Sequence, residues 1–136
     1  MTPEERADLI KYRMEKAAHT LRQAEALGAM AEWDGAANRT YYAMFYAAVA
    51  MLAKQDVSAR THSGVLALVD RELVRLGLLP RQEAAHLREA FRLRQRADYA
   101  ETDPIDAERG QELIEAARSF LKQAERMLND TGDPRP

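Results

Sequence analysis

The sequence predicts an all-α protein, an up-and-down bundle of four to five helices. Apolar residues recur at spacings of three and four along most of the chain, which is the periodicity of one helix face. Capping and breaking residues divide this pattern into helical segments, and no segment shows the strict alternation of a strand. At 136 residues, 46% of them hydrophobic, the chain can bury one core. We therefore expect a single domain over residues 1–130 and a flexible tail over 131–136.

The first two predicted helices carry the chain into its most apolar region. Thr2 provides an N-cap for a helix that ends near Ala26, because Gly28 follows. The second helix covers about Glu32–Lys54 and is apolar nearly all round over Tyr41–Leu52, which predicts a central, buried position. Alanines alternate there with aromatic residues, and we interpret this pattern as core packing.

Three further helices follow the polar loop after the second one. Thr61 is the expected N-cap of the third helix, which Gly77 ends. Pro80 begins the fourth helix, which ends near Tyr99. Asp103 is the expected N-cap of the last helix, with a proline at its first position.

The fourth helix places two charged residues where its apolar face should continue. Leu87 and Phe91 define a face that extends, by steps of three and four, to Arg94 and Asp98. Burying an ion without a partner is costly, so we expect these two residues to pair with each other or with polar groups of a neighbouring helix. Arg39 of the second helix precedes the most apolar stretch, and Asp98 is its best candidate carboxylate.

The outer side of the same helix carries a basic stripe. Arg88, Arg92 and Arg96 recur every four residues. The formal net charge of the whole chain is −2, so the molecule as a whole does not attract polyanions. Nucleic-acid or nucleotide binding would therefore depend on this local stripe, together with Arg39.

Composition argues against several classes of protein. The chain has no cysteine, and its three histidines are too scattered to suggest a zinc site, so we expect no metal and no cofactor. The longest apolar run is shorter than the roughly 20 residues that span a bilayer. The acidic N-terminus does not resemble a secretory signal. These observations predict a cytoplasmic protein without a membrane span.

Three motifs stand in order along the helices. They are Asn38–Phe45, with the pattern Asn-Arg-x-Tyr-Tyr-Ala-x-Phe, Thr61–Val65, with Thr-His-x-Gly-Val, and Arg94–Tyr99, with Arg-x-x-Ala-Asp-Tyr. Together, over about residues 5–128, they resemble the prokaryotic HEPN domain in its small stand-alone branch. The resemblance implies a helical bundle, usually a homodimer, often encoded beside a minimal nucleotidyltransferase as a toxin and antitoxin pair. Many family members are metal-independent ribonucleases.

The chain departs from the family at the catalytic position. The family's ribonuclease signature is an Arg followed, after four to six residues, by a His near the end of the fourth helix, and Asp98 stands at that place. An Asp, with an ordinary pKa of about 3.9, does not exchange protons near neutral pH as a His does. The candidate catalytic residues are therefore Arg94 with Asp98, Tyr99 or His62.

His62 either hydrogen bonds locally at its helix start or reaches the cleft as the missing base. Two pairs with the signature's spacing occur elsewhere, on ordinary helical surface: Arg81 with His86, and Arg13 with His19.

The resemblance leads to one leading hypothesis of function and two alternatives. The first is a toxin or defence-associated module that acts on RNA and is paired with a nucleotidyltransferase antitoxin. The second is a non-catalytic HEPN domain that binds a nucleotide or a partner protein. The third is a purely structural dimerisation bundle. The absent histidine favours the second hypothesis, whereas the inward Arg94 and the basic stripe favour the first.

Overall fold

The computed structural model describes the backbone of residues 1–99 and 104–130, and the side chains of 1–96 and 104–130. No strand occurs in these ranges, and the all-α prediction is confirmed. A π-helical turn, Asp70–Val74, continues the third helix. The helices are α1 (Pro3–Ala29), α2 (Trp33–Lys54), α3 (His62–Val69), α4 (Arg81–Tyr99) and α5 (Ala107–Asn129).

Helix α2 occupies the centre of the bundle, as its apolar sequence predicts. It contacts every other helix, and its alanines let those neighbours approach closely. Tyr41, Met44 and Met51 of α2 are fully buried. Side chains from the surrounding elements complete the core, among them Leu73, Leu87 and Phe120.

Helix α1 begins as predicted but ends later. The Thr2 hydroxyl accepts a hydrogen bond from the Glu5 backbone N–H (3.0 Å), and the Glu5 carboxylate accepts one from the Thr2 N–H (2.7 Å). The prediction that the helix stops before Gly28 was wrong, because this glycine serves close packing. A Cβ atom at Gly28 would lie 2.9 Å from Ile114 Cδ1 and 3.1 Å from Trp33 Cζ3.

The third helix is shorter than its sequence predicted. Helix α3 ends at Val69 and passes into the π-helical turn, where the Arg75 N–H donates to the Asp70 carbonyl (3.0 Å). Leu73 is still buried, whereas Leu76 is more than half exposed. Gly77 lies outside the helix with a φ of +75°, a left-handed conformation that glycine adopts without strain.

Helix α5 begins after the predicted position. Its N-cap is Asp106, which accepts a hydrogen bond from the Arg109 N–H (2.8 Å); the proposed cap, Asp103, lies outside the described residues. The reason is the anchoring of the preceding segment. Ile105 is buried and its N–H donates to the Asp34 carboxylate (3.0 Å), so helical geometry starts only after this contact.

The packing of Trp33 against Gly110 gives a test of the fold. A Cβ atom at Gly110 would overlap with Trp33 Cε3, so atoms would have to move. Gly110→Ala should therefore lower the free energy of unfolding by about 1–3 kcal/mol, although alanine is normally the better helix former. Urea unfolding measures this. In a Trp33→Leu background the loss should shrink, and an equal loss in both backgrounds would contradict the packing described.

Candidate functional site

A buried tyrosine brings three helices together. Tyr41 of α2 is fully buried, and its hydroxyl lies 2.6 Å from Nδ1 of His62, the first residue of α3. Its ring also packs against Phe91 of α4, with 5.5 Å between the ring centroids. A buried hydroxyl needs a hydrogen-bond partner, so this contact fixes where α3 starts relative to α2.

His62 is part of an aromatic cluster rather than the local cap of its helix. The cap is supplied by Thr61, whose hydroxyl accepts a hydrogen bond from the Gly64 N–H (2.9 Å). The His62 ring is stacked on Phe45, with centroids 4.3 Å apart and planes 13° apart. The His62 side chain therefore lies against α2 and does not cap its own helix, and its role as the base stays a prediction.

Arg94 lies on the inner side of α4, in the orientation that the apolar face predicted. Its guanidinium carbon is 5.5 Å from the ring centroid of Tyr41 and 5.3 Å from that of Tyr42. The side chain is half-buried. Arg94 and His62 therefore meet at the same tyrosine, although they come from different helices.

Arg39 brings a second guanidinium to Tyr42. Its guanidinium carbon lies 5.3 Å from the Tyr42 ring centroid, and it donates to Asn38 Oδ1 (3.0 Å) and Gln23 Oε1 (3.3 Å). The pairing of Arg39 or Arg94 with Asp98 stays a prediction, as does a role for Tyr99. The side chains of Asp98 and Tyr99 lie outside the described part of the chain.

The surroundings keep the Tyr41–His62 pair neutral. Burial raises the pKa of Tyr41, an effect that the nearby Arg94 charge partly offsets. Burial and then the charge of Arg94 lower the pKa of His62 below its ordinary value of about 6.5. If Tyr41 donates to Nδ1, His62 carries its proton on Nε2; if Nδ1 donates, Nε2 has a free lone pair. The imidazole can thus offer a donor or a base beside a fixed positive charge.

The basic stripe of α4 is largely compensated by carboxylates. Arg88 donates to both oxygens of Asp70 (2.9 and 3.0 Å), and Arg92 forms an ion pair with Glu89 (2.8 Å). This pairing lowers the pKa of Glu89. Arg96 is exposed. The charges of Arg88 and Arg92 are thus balanced by carboxylates within the protein. Nucleotide binding by the stripe stays a prediction.

The other histidines have separate surroundings. His86 lies 3.2 Å from a carboxylate oxygen of Glu83, which is buried and also accepts a hydrogen bond from Ser119 (2.6 Å). The hydrogen bond from Ser119 joins α5 to α4, and His86 packs beside it through its contact with Glu83. His19 is exposed on α1. Within the described ranges, no group of three or more acidic residues and histidines is placed to hold a metal ion.

The sequence analysis did not predict that Tyr42 and Tyr46 of α2 reach the surface, or that Lys16 lies beside them. Tyr42 and Tyr46 are half-buried rather than fully buried, and Lys16 of α1 places its ammonium 4.7 Å from the Tyr46 ring centroid. The spacing of four between the two tyrosines indicates a shared face. Which residues of α1 lie opposite that face does not follow from the spacing.

The lowered pKa of His62 can be measured by NMR titration. Because a positive guanidinium disfavours an imidazolium, Arg94→Gln should raise this pKa towards 6.5, whereas Arg88→Gln should leave it unchanged. The unfolded chain binds this proton more readily than the folded protein. Stability should therefore fall as the pH drops below about 6.5 towards the lower folded-state value. An unchanged His62 titration in Arg94→Gln would contradict the coupling.

Comparison with known proteins agrees with this architecture. The chain matches the HEPN domain family over residues 10–129. It is 35% identical to UPF0332 protein glr0978 of Gloeobacter violaceus over 129 residues, which cover 94% of this chain and 98% of the relative. It is 32% identical to a UPF0332 protein of Thermotoga maritima over 126 residues, 93% of this chain and 96% of the relative.

A relative from an archaeon carries a functional name. The Methanocaldococcus jannaschii protein named "Putative toxin MJ0142" is 32% identical over 115 residues, 85% of this chain and 78% of the relative.

Among the described helices, none has the length and hydropathy needed to cross a membrane. The match to the family extends over all five helices, and the chain belongs to the HEPN domain family.

Proposed function

We propose that this protein is a toxin-like HEPN module that acts on RNA, with Arg94 and His62 at the centre of its site. The observation that carries the proposal is that both residues contact the same buried side chain, Tyr41. A cation that stabilises charge on a phosphate and a neutral imidazole that takes a proton are two of the groups that promote metal-independent cleavage of RNA. The name of the archaeal relative supports a toxin-like role.

The chemistry assigns a different task to each residue. His62 takes the proton from a ribose 2′-hydroxyl, and its lowered pKa keeps it unprotonated and ready to do so. The 2′-oxygen then attacks the adjacent phosphorus, and the bond to the 5′-oxygen breaks, which leaves a 2′,3′-cyclic phosphate. Arg94 stabilises the negative charge that develops on the phosphate oxygens. The leaving 5′-oxygen takes a proton from Tyr99 or from water, because an ionised Asp98 has none to give.

A homodimer and a protein partner belong to the same proposal. Two copies related by a two-fold axis would double the cations of each site and enclose a half-buried Arg94. The family resemblance supports this arrangement, and it also supports a minimal nucleotidyltransferase as the antitoxin that restrains the module.

Two features should make cleavage slow in the isolated protein. Nδ1 of His62 is engaged by Tyr41, so the imidazole has no second nitrogen with which to protonate the leaving oxygen. Asp98 also replaces the histidine that the family uses at the end of the fourth helix. A well-placed acid or base contributes about 10²- to 10⁴-fold, and its loss leaves a correspondingly slow reaction. The same replacement favours the second candidate function, a non-catalytic domain that binds a nucleotide or a partner protein.

The test incubates purified protein with mixed RNA, with and without EDTA. We expect slow cleavage that EDTA does not stop, reduced about 10²-fold or more in Arg94→Ala and in His62→Gln. Arg71→Ala, whose ion pair is with its sequence neighbour Glu72, is the control and should cleave normally. Thermal unfolding verifies that each variant is folded.

The outcomes separate the two candidate functions. Full activity in His62→Gln would exclude His62 as the base. Absence of cleavage, combined with RNA or nucleotide binding that Arg94→Ala abolishes, would establish the non-catalytic alternative. Fast cleavage that His62→Gln leaves intact and EDTA stops would contradict the mechanism altogether.

A further inference from the structure

A row of tyrosines and cations extends away from Arg94 across α2 and α1. The rings of Tyr42 and Tyr46 lie 6.0 Å apart on one face of α2. Lys16 of α1 links this pair to Tyr12, because its ammonium is 4.7 Å from the Tyr46 ring centroid and 5.9 Å from that of Tyr12. The row therefore continues from the guanidinium of Arg94, through three rings, to the surface of α1.

Core packing accounts for only part of this row, because Tyr42 and Tyr46 pack against the core on one side. Tyr12 is 54% exposed, and Tyr42 and Tyr46 each keep part of their surface in solvent. Each ring has at least one cation within 6 Å of its centroid. Rings that were needed only to fill the core would not require a lysine or an arginine beside each of them.

The cations of this row also differ from those of the α4 stripe. Within the described part of the chain, Lys16 forms no ion pair, and the hydrogen bonds of Arg39 go to neutral side chains, Asn38 and Gln23. Arg88 and Arg92, in contrast, are paired with carboxylates. Glu15 is next to Lys16 in sequence but lines a separate groove between α1 and α5. Positive charge is therefore available along the tyrosines.

Alternating rings and cations match the chemistry of a single-stranded nucleic acid. Unpaired bases stack on aromatic rings, and the cations between the rings balance the phosphates. Bases in a duplex are already stacked on one another and cannot use such rings. A protein partner would gain much less from cations placed at every ring.

We infer that Tyr12, Tyr46 and Tyr42, with Lys16 and Arg39, form a track that binds single-stranded RNA. The track leads to Arg94, so it would hold the strand while one phosphate lies at the Arg94–His62 site. This inference rests on the proposed function, because it names the substrate class of the same site. It adds that affinity comes from stacking on the α1–α2 face, and not from the arginine stripe of α4.

Fluorescence anisotropy with a labelled 2′-O-methyl oligoadenylate tests the track, since this probe stacks normally and has no 2′-hydroxyl to react. Tyr46→Leu and Tyr12→Leu should each weaken binding about 5- to 100-fold. Tyr46→Phe keeps the ring and should bind as the wild type does. Lys16→Gln should lower the slope of log affinity against log salt concentration by about one, the amount expected for one lost phosphate contact. Arg88→Gln should leave that slope unchanged. Tyr12 is mostly exposed, so its replacement leaves folding intact.

Three results would overturn the track. One is unchanged affinity in both Tyr12→Leu and Tyr46→Leu. Another is equally tight binding of a duplex of the same length. The third is a wild-type dimer that sedimentation shows to become a monomer in Tyr46→Leu, which would assign this face to a second copy of the chain.

The track and the proposed function can fail separately. Ring-dependent binding in a protein that cleaves nothing would support the track and reject catalysis. Cleavage that needs Arg94 and His62, together with normal binding in the tyrosine variants, would support the catalytic site and reject the track.

Discussion

The hydrogen bond between Tyr41 and His62 is the contact on which both the core and the candidate site depend. Tyr41 is fully buried in the central helix, so its hydroxyl must find a partner inside the bundle or cost about 1–3 kcal/mol. His62 provides that partner from the first turn of α3. The same bond holds the imidazole against α2, where Arg94 of α4 reaches the same ring. The packing of three helices thus brings Tyr41, His62 and Arg94 together.

The aromatic rings of Tyr41 and Tyr42 stabilise the positive charge of the half-buried Arg94. Full burial of a guanidinium would carry a desolvation cost that an ion pair does not always repay. The faces of Tyr41 and Tyr42 offer Arg94 a partly negative surface while leaving it accessible. The positive charge in turn lowers the pKa of His62, so the cation and a neutral imidazole coexist near neutral pH. An arriving phosphate would meet a fixed charge and a group able to take a proton.

Sequence periodicity predicted the helices and the inward direction of Arg94, because both follow from the spacing of residues along one helix. It could not predict contacts between helices. The bond from Tyr41 to His62 joins residues 21 positions apart, and the carboxylate that pairs with Arg88 comes from Asp70, outside α4. Gly28 was misinterpreted for the same reason, since a glycine that ends a helix and one that admits a neighbouring side chain look alike in sequence. The roles of Asp98 and Tyr99 stay predictions of the sequence.

Imidazole ¹⁵N NMR during titration with a 2′-O-methyl dinucleotide tests the central claim, that an RNA phosphate binds where Arg94 and His62 meet at Tyr41. His19 and His86, which lie in other surroundings, are internal references. The account predicts that the ring nitrogens of His62 shift in a saturable way while those of the other two histidines stay in place, and that Arg94→Gln abolishes the shift. A His62 signal that does not move when the dinucleotide binds, or a shift confined to His86, would contradict it.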